Sequence, residues 1–440
     1  MPTPRGLMAG LALVSLTAGL TVGATACGSS ASEDDKALEL WTRSTPASAE
    51  VYKKVIAAFT ARTGVKVDYV PVYENFEKKI QEAAAARDLP DVVINDVSLL
   101  GPAVGQGLVV PVDKASIAGA GDTLDRAWSQ ARAADGRFYG VPFSVQAMAT
   151  FIRRDWREKL GRDLPRTWAE LVTLARDFQT KDPDGNGRDD TYGMVVPAST
   201  ERGYTAWWAA SYLWQGGGDF LTESGGRFTP AIDRPKAVES VKWMQDLFCK
   251  DKVVVPGALT LITDDAHPFF ETGKAGVYLT GPWMMGRFDK NLGKDKYEVI
   301  ASPAGPEGQA VLGEGENVYL MAGSKKTAEQ KKLAEFLISA EGQRLGMNTD
   351  QPNPVVRLPV NKGVDVLAER KDERWATVKQ VYEGSGRLFP QVPNWQPFRQ
   401  KTAETLNSLF ATCDADVQGA LTKLAGDYRA ELAEQKVSTG

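Results

Sequence analysis

From residue 38 the chain alternates short apolar strands with amphipathic helices, and that alternation restricts the fold more than any other feature. LELWTRS reads as a strand. Pro46 to Arg62 then carries Val51, Val55, Ala58 and Phe59 on one helical face before Gly64 stops it. VKVDYVPV is the next strand, Tyr73 to Arg87 the next helix, and PDVVIND a buried strand ending on two polar residues. The same order returns after residue 150. PRTWAELVTLARDFQTK is a helix with Thr167 as N-cap and Glu170 completing a capping box. Trp207 to Gln215 is a helix ended by Gly216-Gly217-Gly218, and Ala237 to Cys249 is another. FFETGKAGVYLTGPW, YEVIASPAGP and ENVYLMAG supply further strands, and Thr327 to Leu337 a helix. Beyond 340 the chain is mostly helical, broken by the Pro-rich QPNPVV and FPQVPNWQPF. Strands alternating with helices of this length predict an α/β fold on parallel-type sheets. With no repeats and no low-complexity linker, two α/β lobes joined by several short crossings suit the 440 residues.

The amino terminus reads as processing signal rather than fold. MPTPRG is a short n-region, LMAGLALVSLTAGLTVG an apolar h-region, and Ala24-Thr25-Ala26 a cleavage site. Residues 1–26 are therefore expected to be a signal peptide. Cys27 directly after Ala-x-Ala resembles the bacterial lipobox, although alanine stands where leucine is usual. Residues 27–37, with GSSASEDDK, would then form a lipidated flexible tether holding the protein on a membrane surface. No other segment reaches the roughly eighteen apolar residues of a membrane span.

Lys+Arg 52 against Asp+Glu 56 gives a net charge of -4, which argues against nucleic acid as a partner. His267 is the only histidine, so histidine-based catalysis and histidine metal sites are nearly excluded. Cys249 and Cys413 remain in the mature chain. Both follow helix-like apolar runs, so one disulfide and two separate buried thiols are both open.

Taken in order, these segments resemble the extracellular solute-binding proteins of sugar ABC transporters, the family of maltose-binding protein. The resemblance covers about residues 38–425, through LELW, PDVVIND, GLVVPVD, RFYGVPFSVQAMATFIRRD, PRTWAEL, WQGGGDF, FFETGKAGVYLTGPW, SPAGP and NVYLMAGSKKTAEQKKLAEFLIS. It implies a two-lobed, periplasmic-binding-protein-like (type II) fold with a hinge and an interlobe ligand cleft. It assigns residues 38–148 and 295–340 to lobe 1, and 149–294 and 341–440 to lobe 2. It further implies a monomer that captures a sugar or oligosaccharide, does no chemistry on it, and delivers it to the permease subunits of a transporter.

In such a fold, ligand groups come from strand ends and helix starts facing the crevice. Trp41, Arg43, Ser44 and Thr45 follow the first strand, and Asn95, Asp96 and Ser98 the third. Gln146 lies in the PFSVQAM crossing. Glu201, Tyr204, Trp207 and Trp208 open a helix, on which at most one of the two tryptophans faces the cleft. Asp264 and Asp265 precede the FFETGK turn, and Asn394-Trp395 ends a proline-stiffened loop. Trp283 follows Pro282, whose ring fixes φ and stiffens the corner, so its indole is aimed in advance. In the family this tryptophan stacks on a sugar ring, whose C–H face suits an aromatic surface. Trp395 is expected to stack in the same way.

Asp182, Asp184, Asn186, Arg188 and Asp190 copy the first places of an EF-hand loop, with glycine at the turn but Gly193 in place of the closing glutamate. The segment reads either as a structural calcium site or as an Asp/Asn/Gly-rich turn. No other cofactor is implied. Two competing functions remain: a receptor of the same fold for another solute such as a sugar phosphate, with Arg43 serving the phosphate, and a secreted glycan-active enzyme.

Overall fold

The computed structural model describes residues 37–349 and 354–439, so the signal sequence and Cys27 lie outside the described residues. Strands are numbered in chain order: β1 (Leu38–Arg43), β2 (Val67–Val72), β3 (Val92–Asp96), β4 (Val141–Ala147), β5 (Ala149–Arg153), β6 (Tyr192–Val195), β7 (Leu221–Ser224) and β8 (Arg227–Pro230). They continue with β9 (Ala275–Thr280), β10 (Tyr297–Ile300), β11 (Val311–Leu320), β12 (Leu358–Pro359) and β13 (Gly386–Arg387). Seven strands form a first sheet in the order β12-β4-β11-β3-β1-β2, with β13 on β11, and four form a second in the order β10-β5-β9-β6. β7 and β8 make a separate hairpin.

The first sheet is parallel where helices connect its strands and antiparallel where the chain returns. β1 runs parallel to both β2 and β3, whereas β11 is antiparallel to β3 and β4. The first helix, Pro46–Thr63, begins where Thr45 accepts the backbone N–H of Ser48, and ends where Gly64 adopts φ +75°. It buries Val51, Val55 and Phe59 against the sheet, the apolar stripe expected from their spacing. Thr167 likewise caps the helix Trp168–Thr180 through the Glu170 N–H. The Glu170 carboxylate reaches the N–H of Arg166 rather than that of Thr167, so the box closes one residue early.

Two sheets, each with its own helices, make the two lobes, and Met148 alone separates β4 of the first from β5 of the second. Sheet membership moves the expected lobe boundaries. β10 hydrogen-bonds to β5, and Tyr297 stacks on Phe151 at 5.8 Å, so residues 297–300 belong with the second sheet and not with 295–340 of the first lobe. β12 and β13 join the first sheet. The chain therefore returns to the second lobe after Arg387, with the helices Gln396–Ala411 and Val417–Glu434. Period-two alternation identifies a strand but carries no information about which sheet edge accepts it. Among the described residues no helix is long and apolar enough to cross a membrane.

Candidate functional site

A cleft of about 320 Å³ lies between the lobes. Its first wall is built from the ends of β1, β3, β4 and β11. Arg43 closes β1 and Asp96 closes β3, and the guanidinium meets the carboxylate at 3.0 Å. Burial works against the Asp96 charge, but Arg43 and the Ser98 hydroxyl outweigh it and hold the carboxyl below its ordinary range. Glu314 and Glu316 reach the same face from β11, with Gly315 between them. A Cβ on Gly315 would fall 2.0 Å from the Ser144 carbonyl oxygen, so only glycine lets β11 pass there. Glu316 pairs with Arg357 at 2.8 Å. Glu314 accepts the Trp207 indole N–H at 3.1 Å and lies in register with Gln146 of β4. Burial, then the Asp96 charge, push its carboxyl up to about 7.

The second wall is aromatic and basic. Tyr204 and Trp207 come from the helix Tyr204–Gln215, and Trp283 from the turn after β9. The rings of Trp207 and Trp283 lie 6.0 Å apart at 46°, and Tyr204 stands edge-on to Trp207 at 6.5 Å. Pro282 opens a short helical turn, Pro282–Met284, and the Trp283 ring folds back over Gly281. A Cβ on Gly281 would lie 1.7 Å from that ring, so the Gly-Pro-Trp order is what permits this placement. Arg287 is held by Glu271 through two bonds of 2.8 and 2.6 Å. His267 is kept neutral, its pKa pushed down to about 4 by burial and by Arg287.

Several polar groups of this site have no protein partner among the described residues. Asn95 is 2% exposed, and neither its amide oxygen nor its nitrogen is hydrogen-bonded. The Gln146 Oε1 is buried and unbonded as well. Buried polar groups are normally paired, so these two amides leave hydrogen-bonding capacity unmet at the cleft.

The cleft thus gathers Arg43, Asn95, Asp96, Gln146, Tyr204, Trp207, Asp264 and Trp283 from the residues expected in sequence, together with Thr45 and Ser98. Four others lie elsewhere. Trp41 points under the sheet into a core with Phe76 and Val93, its N–H on Glu39 and Lys79 over its ring at 4.3 Å. Ser44 is buried against the hydroxyls of Thr42 and Tyr69. Glu201 is exposed outside the cleft, its backbone N–H on Ser199. Trp395 lies outside this cleft, its ring stacked with Phe389 at 5.2 Å and 26° and with Phe398 at 5.3 Å and 4°. Trp207 faces the cleft while Trp208 packs in the core against Tyr212 and Phe410.

Tyr73, Arg202, His267, Arg287, Glu314, Glu316, Arg357 and Arg399 also line the cleft and were not singled out in sequence. The motif Glu-Gly-Glu was readable, since two carboxylates two apart on an apolar strand share one face.

The acidic loop is held by hydrogen bonds among its own side chains and backbone. Asp182 accepts the N–H groups of Gly185, Asn186 and Gly187. Asn186 bonds Asp184 and Asp190, Lys274 holds Asp190 at 2.7 Å, and the N–H of Arg188 donates to Asn186. No cluster of three or more His, Cys, Asp or Glu among the described residues is arranged to hold a metal. Cys249 and Cys413 form a disulfide, which settles their two readings in favour of pairing.

A two-lobed α/β molecule whose interlobe cleft is lined with aromatic rings and unpartnered amides has the form of a solute receptor. The chain belongs to the bacterial extracellular solute-binding protein family, whose sequence model matches residues 44–344. A putative binding protein of Brucella abortus (strain 2308) is 23% identical over 397 residues, covering 90% of this chain and 92% of the relative. The fructooligosaccharide ABC transporter substrate-binding protein FusA of Streptococcus pneumoniae is 27% identical over 63% of this chain and 55% of its own. Among solved structures, the GacH receptor of Streptomyces glaucescens superposes with a TM-score of 0.78 at 22% identity, covering 90% of this chain and 98% of that one. Maltose-bound MalE3 of T. maritima gives 0.74 at 24%, covering 90% and 99%. These likenesses fix the two-lobed fold.

Proposed function

We propose that the protein captures a sugar or oligosaccharide in the interlobe cleft and passes it unchanged to the permease of an ABC transporter. The observation that carries this reading is the pairing of chemistries across the cleft. Trp283 and Trp207 offer apolar faces on one side, and Asn95 and Gln146 offer unbonded amides on the other. A pyranose needs both, a surface for its C–H face and partners for its hydroxyls. The relatives support the solute class: FusA is a fructooligosaccharide receptor by name, and MalE3 holds maltose.

A second reading, a sugar bearing an anionic group, rests on a different residue from the one expected. Arg43 is neutralised by Asp96, whereas Arg399 lines the cleft with no carboxylate of the described residues within ion-pair distance. The test is a thermal-shift screen over neutral sugars, oligosaccharides and sugar phosphates, followed by calorimetry and recovery of the ligand. A ligand that binds the folded state raises the melting temperature. Stabilisation by sugars, with the sugar recovered intact, is the expected result. Conversion to a new product would establish an enzyme instead.

Anchoring through a lipid on Cys27 belongs to the same proposal. Lipoprotein LipO of Bacillus subtilis, 24% identical over 59% of this chain, is consistent with it. Mass spectrometry of the mature amino terminus should find Cys27 first and acylated, and Cys27→Ser should release the protein or leave it unprocessed.

A further inference from the structure

Beside the polar cleft lies a second chamber of about 210 Å³, and the two share Ser98, Glu314 and Arg399. One side is the helix Leu100–Gly105 of the first lobe, which contributes Leu100, Pro102 and Val104. The other is the segment that carries the chain back to the second lobe, which contributes Leu388, Phe389 and Val392. The walls touch at Gly101, where a Cβ would lie 2.4 Å from the Pro393 carbonyl oxygen.

From this we infer that the chamber takes an apolar aglycone, so that the preferred ligand is a glycoside carrying an aryl or alkyl group. The inference rests on the sugar reading for the cleft. The chamber suits a second sugar ring poorly, because its lining away from the shared boundary is mostly apolar and its few polar side chains are partly engaged within the protein. Arg132 donates to the Gly136 carbonyl at 3.0 Å, and Asp135 accepts from Arg137 and Tyr139, each at 2.8 Å. Gln391 donates to the Phe389 carbonyl at 2.8 Å. A pyranose placed there would meet few partners for its several hydroxyls, and each hydroxyl left unpaired costs desolvation energy without return. An apolar group has no such need. Its room is sufficient too, since a dry cavity of roughly 150 Å³ admits benzene. The Trp395 N–H, buried and unbonded among the described residues at this chamber, offers a donor to an ether or carbonyl oxygen of the aglycone.

The test compares matched methyl, phenyl and octyl glycosides of each sugar that stabilises the protein, by calorimetry. The phenyl or octyl compound should bind roughly tenfold tighter than the methyl one, or better. Leu388→Gln and Val104→Gln should each bring that ratio towards one. N-phenyl-1-naphthylamine, a neutral apolar fluorophore, should bind one to one and be displaced by the phenyl glycoside. If sugars bind, affinity grows with each added ring, and the phenyl compound gains nothing, the chamber is a sugar subsite and the inference is overturned. Loss of sugar binding with retained, Leu388-dependent binding of the naphthylamine would support the apolar chamber and reject the sugar reading alone. Failure of the naphthylamine and of every aglycone to bind would overturn it.

Discussion

Tyr73 donates its hydroxyl to Asp264 at 2.7 Å, and the two residues stand on opposite lips of the cleft. Tyr73 follows β2 of the first sheet, and Asp264 opens the helix Thr263–Glu271 of the second lobe. Burial and the bond to Asp264 push the Tyr73 hydroxyl up to about 12, so it remains a donor at ordinary pH. A second bridge joins Arg202 to Glu77 at 2.8 Å, again across the cleft. Both contacts exist only while the lobes face each other closely, so they favour closure with or without a ligand. Their strength must be small, since exposed pairs contribute about 1 kcal/mol or less. A weak bias of that size lets the ligand decide the equilibrium.

Removing the hydroxyl should therefore open the molecule. Tyr73→Phe is expected to weaken ligand binding roughly two- to tenfold, matching the loss of about 0.5–1.5 kcal/mol from one hydrogen bond. Small-angle scattering of the unliganded variant should give a larger radius of gyration than the parent. Equal radii and equal affinities would show that the bridge does not bias closure.

Much of this architecture was legible because it rests on local rules. Thr167 announced its helix, and Gly-Pro-Trp announced an aimed indole. Arg43 and Asp96 were found because strand ends face the crevice of an α/β sheet. Trp41 misled because it lies two residues upstream on the same strand, below the crevice and under Lys79. Trp395 had the same local signature as Trp283, a tryptophan after prolines, but Phe389 and Phe398 of the same proline-rich stretch pack against its ring. Arg399 carries no local mark at all. It occupies the first turn of a long helix, and only the packing of that helix over Gly203 brings it to the cleft.

Trp283 gives a direct test of the aromatic wall. Trp283→Ala should cost about 1–3 kcal/mol of binding, roughly ten- to a hundredfold in affinity. Gly281→Ala should produce a similar loss without touching the indole chemically, because the added methyl would occupy the space of the ring. Circular dichroism should show both variants folded. Parent-like affinity in both would remove Trp283 from the site.

Glu314 makes stability depend on pH in a defined direction. Its carboxyl titrates near 7 in the folded chain, against about 4.3 when unfolded. Between those values the native state holds a proton that the unfolded chain has released, so stability falls as pH rises through the window. The difference amounts to at most about 4 kcal/mol at 1.36 kcal/mol per pH unit. Glu314→Gln keeps an acceptor for Trp207 and removes the titration. The variant should match the parent near about pH 4 and melt higher at about pH 8. A constant difference between the two proteins across that range would assign the titration elsewhere.

The Cys249–Cys413 disulfide closes a loop with a sequence separation of 164 and ties the end of the helix Pro235–Cys249 to the segment after Gln396–Ala411. Phe248 and Phe410 stack beside it at 4.8 Å and 11°, so packing and the covalent link hold the same two helices together. Cross-linking positions so far apart restricts the unfolded chain, and its removal should cost about 2–5 kcal/mol. Both cysteines belong to the second lobe and neither lines the cleft, so affinity should change little while stability falls. Cys249→Ser, Cys413→Ser and the double variant should melt at one shared temperature below the oxidised parent, and reducing the parent should bring it to the same value. A single variant less stable than the double one would mean that the unpaired thiol, rather than the lost link, causes the damage. Equal melting of oxidised and reduced parent would show that the stacked phenylalanines hold the helices without it.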